Sequence, residues 1–219
     1  EKDYSLLGFR AISRAMPYSR RIELRAMNHN VAQPVMVSEL VPTDIVSSDE
    51  LARIWDKIDL TGDEALVHKA LGMICSEYEG IKFVEKNRVR DSSRRTALVK
   101  LSTFASPVPM SSMGDGMWRI LQIILKALNA KDGFLLIDEV ENGLHYSVQD
   151  KVWGMLFKLA KQFNIQIFAT THSWDAVESF KRVALEEEEA EGVLLRVGKS
   201  AKKGDNGKTV SAVYDKELF

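Results

Sequence analysis

Cysteine is nearly missing from this chain of 219 residues, which has Cys75 alone. No internal disulfide can form, and the composition suits a reducing cytoplasm. The setting of that thiol, LGMICSEY, reads as an apolar helix face, so an inert core thiol is preferred over a nucleophile. No apolar run approaches the roughly 20 residues that a membrane span needs. The start carries no signal-peptide pattern, so no membrane association is expected. Charge of one sign is lacking too: 30 basic against 31 acidic residues leave a net charge of −1. No global field advertises a nucleic-acid partner, and any such surface must be a local patch. No internal repeat is evident. There is no initiator Met, and Glu1-Lys2-Asp3-Tyr4 leads straight into an apolar segment, which suggests a fragment or a lost N-terminus.

What is present is ordinary globular material, 45% hydrophobic and 28% charged. That is enough for a real core in one domain, residues 1–219, with room for an inserted subdomain. Residues 1–46 mix short strand-like runs, such as Val35-Met36-Val37 and Leu40-Val41, with Pro17, Pro34 and Pro42 as punctuation. A helical insertion is expected over 47–80. Ser47 and Glu50 fit a capping box, and Leu51, Ile54, Trp55 and Ile58 recur at helical spacing. A second helix follows Thr61-Gly62, with Leu66, Val67, Ala70, Leu71 and Ile74 on its apolar face.

Residues 81–104 read as a β-hairpin whose polar loop holds Arg88, Arg90, Arg94 and Arg95. A basic tip could meet the phosphates of DNA or RNA, though a solvated tip is the preferred reading. From 105 to 183 the chain alternates an apolar helix at Met117–Leu128, a strand, a helix near Ser147–Phe163, the strand IQIFATT and a helix at Trp174–Phe180. This alternation predicts an α/β fold with parallel strands. The acidic run Glu186 to Glu189 reads as a solvated helix end or loop. A further hairpin, GVLLRV with KTVSAVY, is expected over 192–215.

Chemistry concentrates in three places. GFLLIDEVENGL, 133–144, reads as a buried apolar strand ending in Asp138 and Glu139. One carboxylate can hold a hard cation such as Mg²⁺, directly or through water. The other can orient or deprotonate a water that attacks a γ-phosphate. An apolar strand ending in Asp-Glu is the Walker B pattern of nucleotide hydrolases. Upstream, Ser111, Ser112, Gly114 and Gly116 precede the apolar helix. Glycines allow close backbone approach, and a helix start offers free N–H groups to an anion. Downstream, FATTHS ends a strand at His172, placed to bond a phosphate oxygen or the attacking water.

The order of glycine-rich helix start, Asp-Glu strand, NGL turn and strand-end histidine resembles the second half of an ABC-type ATPase head, a P-loop NTPase fold. The phrases LLIDEVENGLHYSVQ and FATTHSWDAVESF are similar to the prokaryotic AAA-family ATPases of the OLD and RecF-like group, with SMC proteins as more distant relatives. The likeness is strong over about 105–180. It implies that Gly114, Asp115 and Gly116 form a signature loop, with Ser112 or Ser111 in place of its serine. It implies Mg²⁺ support by Asp138, a catalytic base in Glu139, a dimer-crossing D-loop at Glu141-Asn142-Gly143-Leu144 and a γ-phosphate-sensing switch at His172. It further implies ATP as cofactor, a homodimer that sandwiches it, and DNA-related work such as phage defence or repair, with an effector nuclease as a conceivable partner.

The sequence departs from that pattern in lacking GxxxxGK[ST] anywhere, so the nest and lysine that cradle β- and γ-phosphates are not in this chain. The chain alone is therefore expected to bind ATP poorly and to be inactive. A non-enzymatic alternative is a dimerisation or regulatory module that completes a partner's site. A nuclease is the weakest reading, because no spaced carboxylate cluster supports it.

Overall fold

A computed structural model describes residues 37–85, 95–187, 191–200, 204 and 206–215, and the backbone of 7–12. Its largest feature is a mixed sheet. Strands β1 (Leu7–Ile12), β2 (Ser38–Val41), β6 (Phe134–Ile137), β7 (Gln166–Thr171), β8 (Glu191–Lys199) and β9 (Thr209–Tyr214) lie in the order β2-β6-β7-β1-β8-β9. The strands β2, β6 and β7 run parallel, as the strand–helix alternation requires. β1 is antiparallel to both β7 and β8, and β9 closes the edge antiparallel to β8. β8 and β9 pair antiparallel and extend the main sheet through β1 rather than flanking it.

The strands at 133–144 and 165–171 read as buried, and among the described residues they are buried on one face only. Leu135, Ile137, Ile167 and Ala169 alternate onto one face and are buried. On the other face Leu40, Leu136 and Phe168 are 54%, 40% and 38% exposed. An apolar run in a short strand does not reveal whether both faces are covered.

Helices cover the buried face. α3 (Asp115–Asn129) is central, with Ile120, Leu121, Ile123, Ile124 and Leu125 all buried. A helix this apolar around its circumference needs neighbours on most sides. α4 (Tyr146–Gln162) and α5 (Trp174–Glu186) lock together through Phe157 stacked on Phe180 and Trp153 edge-on to it, and Trp153 Nε1 donates to Ala176 O at 2.9 Å. α5 runs past Phe180 to Glu186, because Val183 and Ala184 still face the core, so the acidic run begins as the helix end.

α1 (Ser48–Thr61) and α2 (Glu64–Ile74) sit with a second, antiparallel sheet of β3 (Tyr78–Glu85), β4 (Arg95–Leu101) and β5 (Val108–Pro109). Ser47 caps α1 by accepting from Glu50 N at 3.2 Å, while the Glu50 carboxylate reaches Lys126 Nζ on α3 at 3.1 Å. Leu51, Trp55, Val67 and Leu71 belong to the same hydrophobic core as α3 and the main sheet. The expected hairpin is therefore two strands of a three-stranded sheet. Arg88, Arg90 and Arg94 lie outside the described residues. Arg95 is not a free basic contact: its guanidinium meets Asp56 at 2.5 and 2.9 Å. No helix among the described residues is long and apolar enough to cross a membrane.

Candidate functional site

The parallel strands β2, β6 and β7 end at one rim of the sheet, and the chemistry-bearing residues gather there. Asp138 follows the last residue of β6, and its N–H still donates to Val41 O at 2.9 Å, which carries the ladder one step past the strand. Its carboxylate is held at both oxygens. Thr170 Oγ1 donates to Oδ1 at 2.7 Å, and Thr43 Oγ1 donates to Oδ2 at 2.8 Å. Those bonds, Thr170's first, hold Asp138 below the ordinary carboxylate range, with a smaller contribution from the Arg119 charge. Asp138 is thus an ionised, exposed acceptor at neutral pH.

Glu139 takes a backbone conformation that few non-glycine residues adopt, φ +47°. Its peptide groups are fixed on both sides: its N–H donates to Thr170 Oγ1 at 2.9 Å, and its carbonyl accepts from Asn142 N at 2.9 Å and Arg119 Nη2 at 3.1 Å. The turn answers the difficulty that adjacent strand residues face opposite ways. It brings the Glu139 carboxylate to 3.8 Å from His172 Nε2, at the end of β7. Glu141 fixes the end of β7 by accepting from His172 N at 2.8 Å and Ser173 N at 3.1 Å.

The glycine-rich stretch lies against the other side of the same turn. α3 begins at Asp115, two residues earlier than the apolar pattern alone suggests, so Asp115 and Gly116 occupy its first turn. Gly114 precedes them at φ +84°, with open space where a side chain would stand. A Cβ on Gly116 would meet Gly143 O at 2.8 Å, so the helix start touches the NGL turn closely. Asn142 Nδ2 donates to Thr43 O at 2.9 Å, which ties that turn to the end of β2. A cavity of about 230 Å³ lies here, lined by Thr43, Asp44, Asp115, Arg119, Asn142 and Gly143 among others.

The structure therefore gathers Asp138, Glu139 and His172 at one rim, with Asn142 and Gly116 beside them. Ser112 sits exposed on the 3₁₀ turn Met110–Met113, and among the described residues no hydrogen bond joins it to the carboxylates. Reading the sequence missed Thr43, Thr170 and Arg119. Arg119 had a signal: with Gln122 and Lys126 it forms a polar stripe at i, i+3 and i+7 of an otherwise apolar helix.

The donor set suits a magnesium nucleotide. Among the described residues no group of three or more His, Cys, Asp or Glu side chains could hold a metal. A cation at Asp138 would take its remaining ligands from phosphate and water, which is the usual habit of Mg²⁺.

The AAA ATPase domain family matches residues 52–177. An ATP/GTP phosphatase of Helicobacter pylori is 29% identical over 173 residues, which cover 74% of this chain and 43% of that protein. This chain therefore spans under half the length of that relative. An uncharacterized protein of Methanocaldococcus jannaschii is 35% identical over 94 residues, 43% of this chain and 79% of that protein. A solved chain from work on "Structural biochemistry of ATP-driven dimerization and DNA stimulated activation of SMC ATPases" superposes with a TM-score of 0.46 at 10% identity, covering 69% of this chain and 83% of that one. The domain match takes in the Asp138–Glu139 rim and His172 and extends over more than half of the sequence, and the chain belongs to the AAA ATPase domain family.

Proposed function

We propose that this chain supplies the hydrolytic rim of an ABC-type ATPase head. The observation that carries the reading is the Glu139 turn, which sets one carboxylate 3.8 Å from His172 Nε2 beside an Asp138 held ionised by two threonines. Bound Mg²⁺ would neutralise phosphate charge and link ATP to Asp138. Glu139 orients the attacking water and accepts its proton, and His172 donates to an oxygen of the γ-phosphate. Gly114, Asp115 and Gly116, with Ser112 nearby, present the start of α3 to a nucleotide held by a second copy, and Asn142 crosses the interface between heads.

The kinship with a protein named ATP/GTP phosphatase supports nucleoside triphosphate hydrolysis. These 219 residues contain no GxxxxGK[ST], so the β- and γ-phosphate cradle must come from outside them. Taken alone they are expected to be inactive. That same feature favours a second reading, a module without hydrolysis of its own that completes a partner chain's ATP site. A cytoplasmic homodimer engaged in DNA-related work such as phage defence or repair, with an effector nuclease as partner, belongs to the proposal through family resemblance only.

The test is phosphate release from MgATP by the native protein and its Glu139→Gln variant, with ATP-dependent dimerisation followed by sedimentation. Release that falls in the variant while dimers persist supports a working ATPase. Dimers without release from either protein point to the second reading.

A further inference from the structure

Arg119 is a cation in a place where cations are costly. It is 1% exposed, on a helix packed among apolar side chains, and burial draws its guanidinium below the usual arginine range. Such a residue persists when its charge is answered and most of its donors are used; here Nε has no partner among the described residues, while both terminal nitrogens are bonded. The answering charges are Asp138, Glu141 and Glu139, acting through space. The terminal donors go elsewhere. Nη1 donates to Pro42 O, at the end of β2, and Nη2 donates to Asp138 O and Glu139 O, at the end of β6. One planar fork thus joins α3, β2 and the carboxylate turn. Because it binds main-chain carbonyls, it leaves the carboxylate oxygens of both residues to other partners.

Arg119 lies one helical turn after Asp115, on the helix whose Gly116 touches Gly143. The start of α3 and the turn 138–143 are therefore joined twice, by the glycine contact and by this clamp. The Glu139 φ of +47° is a conformation that surrounding bonds must enforce, and the bond from Arg119 to its carbonyl is one of them.

We propose that Arg119 is a positioning residue that ties the start of α3 to the carboxylate turn and sets the alignment of Glu139. The proposal rests on the hydrolytic role given to Glu139, and it adds a residue that acts on that role through main-chain carbonyls. Lysine would keep the charge but lose the fork that spans two strand ends.

The test compares wild type, Arg119→Lys and Arg119→Gln in the native protein, reading steady-state MgATP hydrolysis and hydrogen exchange at the Glu139 and Asn142 amides. In Arg119→Gln we expect kcat to fall about a hundredfold with KM nearly unchanged, as a misaligned catalytic group requires. Exchange at both amides should quicken while the Ile167 amide of β7 stays protected. Arg119→Lys should fall between, and it carries the same comparison if Arg119→Gln does not fold. Unchanged exchange at Glu139 and Asn142 in a folded variant overturns the proposal, as does a rise in KM with kcat preserved. If wild type hydrolyses no ATP, the hydrolytic reading fails separately. Exchange then decides whether Arg119 clamps the turn.

Discussion

Thr170 and Asp138 share a 2.7 Å hydrogen bond in which the threonine hydroxyl donates to Oδ1, and the same oxygen of Thr170 accepts the Glu139 N–H at 2.9 Å. One β7 side chain therefore serves both members of the Asp-Glu pair. Thr170→Val keeps the shape and removes both bonds. The Asp138 carboxyl should then titrate nearer its ordinary value, and the Glu139 N–H loses its partner. The expected loss is about 1 kcal/mol of stability at neutral pH, read from urea unfolding. Carbon-detected NMR titration of Asp138 checks the shift, and a Thr170→Val protein with unchanged stability and titration refutes the shared role.

Glu139→Gln keeps the side chain's size and its turn bonds, which are all main-chain. It removes only the proton acceptor beside His172. Turnover should drop by about 10²–10⁴, the usual worth of a positioned base. Phosphate release measures it, and turnover within a few fold of wild type would take Glu139 out of that role.

The placement of the rim residues was legible because they sit in short contiguous runs. Asp138, Glu139 and His172 each end an apolar stretch, so strand ends could be read from periodicity and the residues placed on one edge. The parallel strands followed from helix alternation. Thr43 and Arg119 were harder, since each acts across the fold: Thr43 on Asp138, and Arg119 on Pro42, Asp138 and Glu139. Such partners depend on strand order, and β2 beside β6 is not visible in local pattern. The polar stripe of Arg119, Gln122 and Lys126 was visible, and all three residues bind the segment 39–50 or its neighbours. The open face at Leu136 and Phe168 was not, because an apolar strand reads alike with one face covered or two.

Gly116→Ala sets two helix effects against each other. Alanine in a helix ordinarily gains about 1 kcal/mol over glycine. Here the new Cβ would stand 2.8 Å from Gly143 O, a backbone atom that cannot swing away. We expect a net loss of about 1–3 kcal/mol, as overpacking gives. Gly72 in α2 is the control, because a Cβ there meets nothing within 4 Å. Thermal unfolding should therefore move in opposite directions for Gly72→Ala and Gly116→Ala, and a stabilised Gly116→Ala would mean that helix and turn do not touch so closely.

Acid should weaken the fold through depressed carboxylates. Asp56 lies below its ordinary 3.8 because Arg95 hydrogen-bonds it, and Asp138 lies below 3.8 because of Thr170 and Thr43. A carboxyl depressed in the folded state binds protons more readily when unfolded. Its stabilisation is therefore complete above the unfolded value and is lost as pH falls through the folded one. The Asp56–Arg95 pair is half exposed on the carboxylate side, so solvent screens it to about 0–1 kcal/mol. Arg95 N also donates to Asp49 Oδ1 at 2.6 Å, and Ser48 Oγ donates to Arg95 O at 2.6 Å, so the start of β4 is fixed to α1 at three points, two of which survive loss of the Asp56 charge. Unfolding free energy should hold level near neutrality and decline between about pH 5 and pH 2. Asp56→Asn should shallow that decline without changing its sign, because Asp138 still contributes. A decline as steep as wild type in Asp56→Asn would show that the ion pair is screened to nothing.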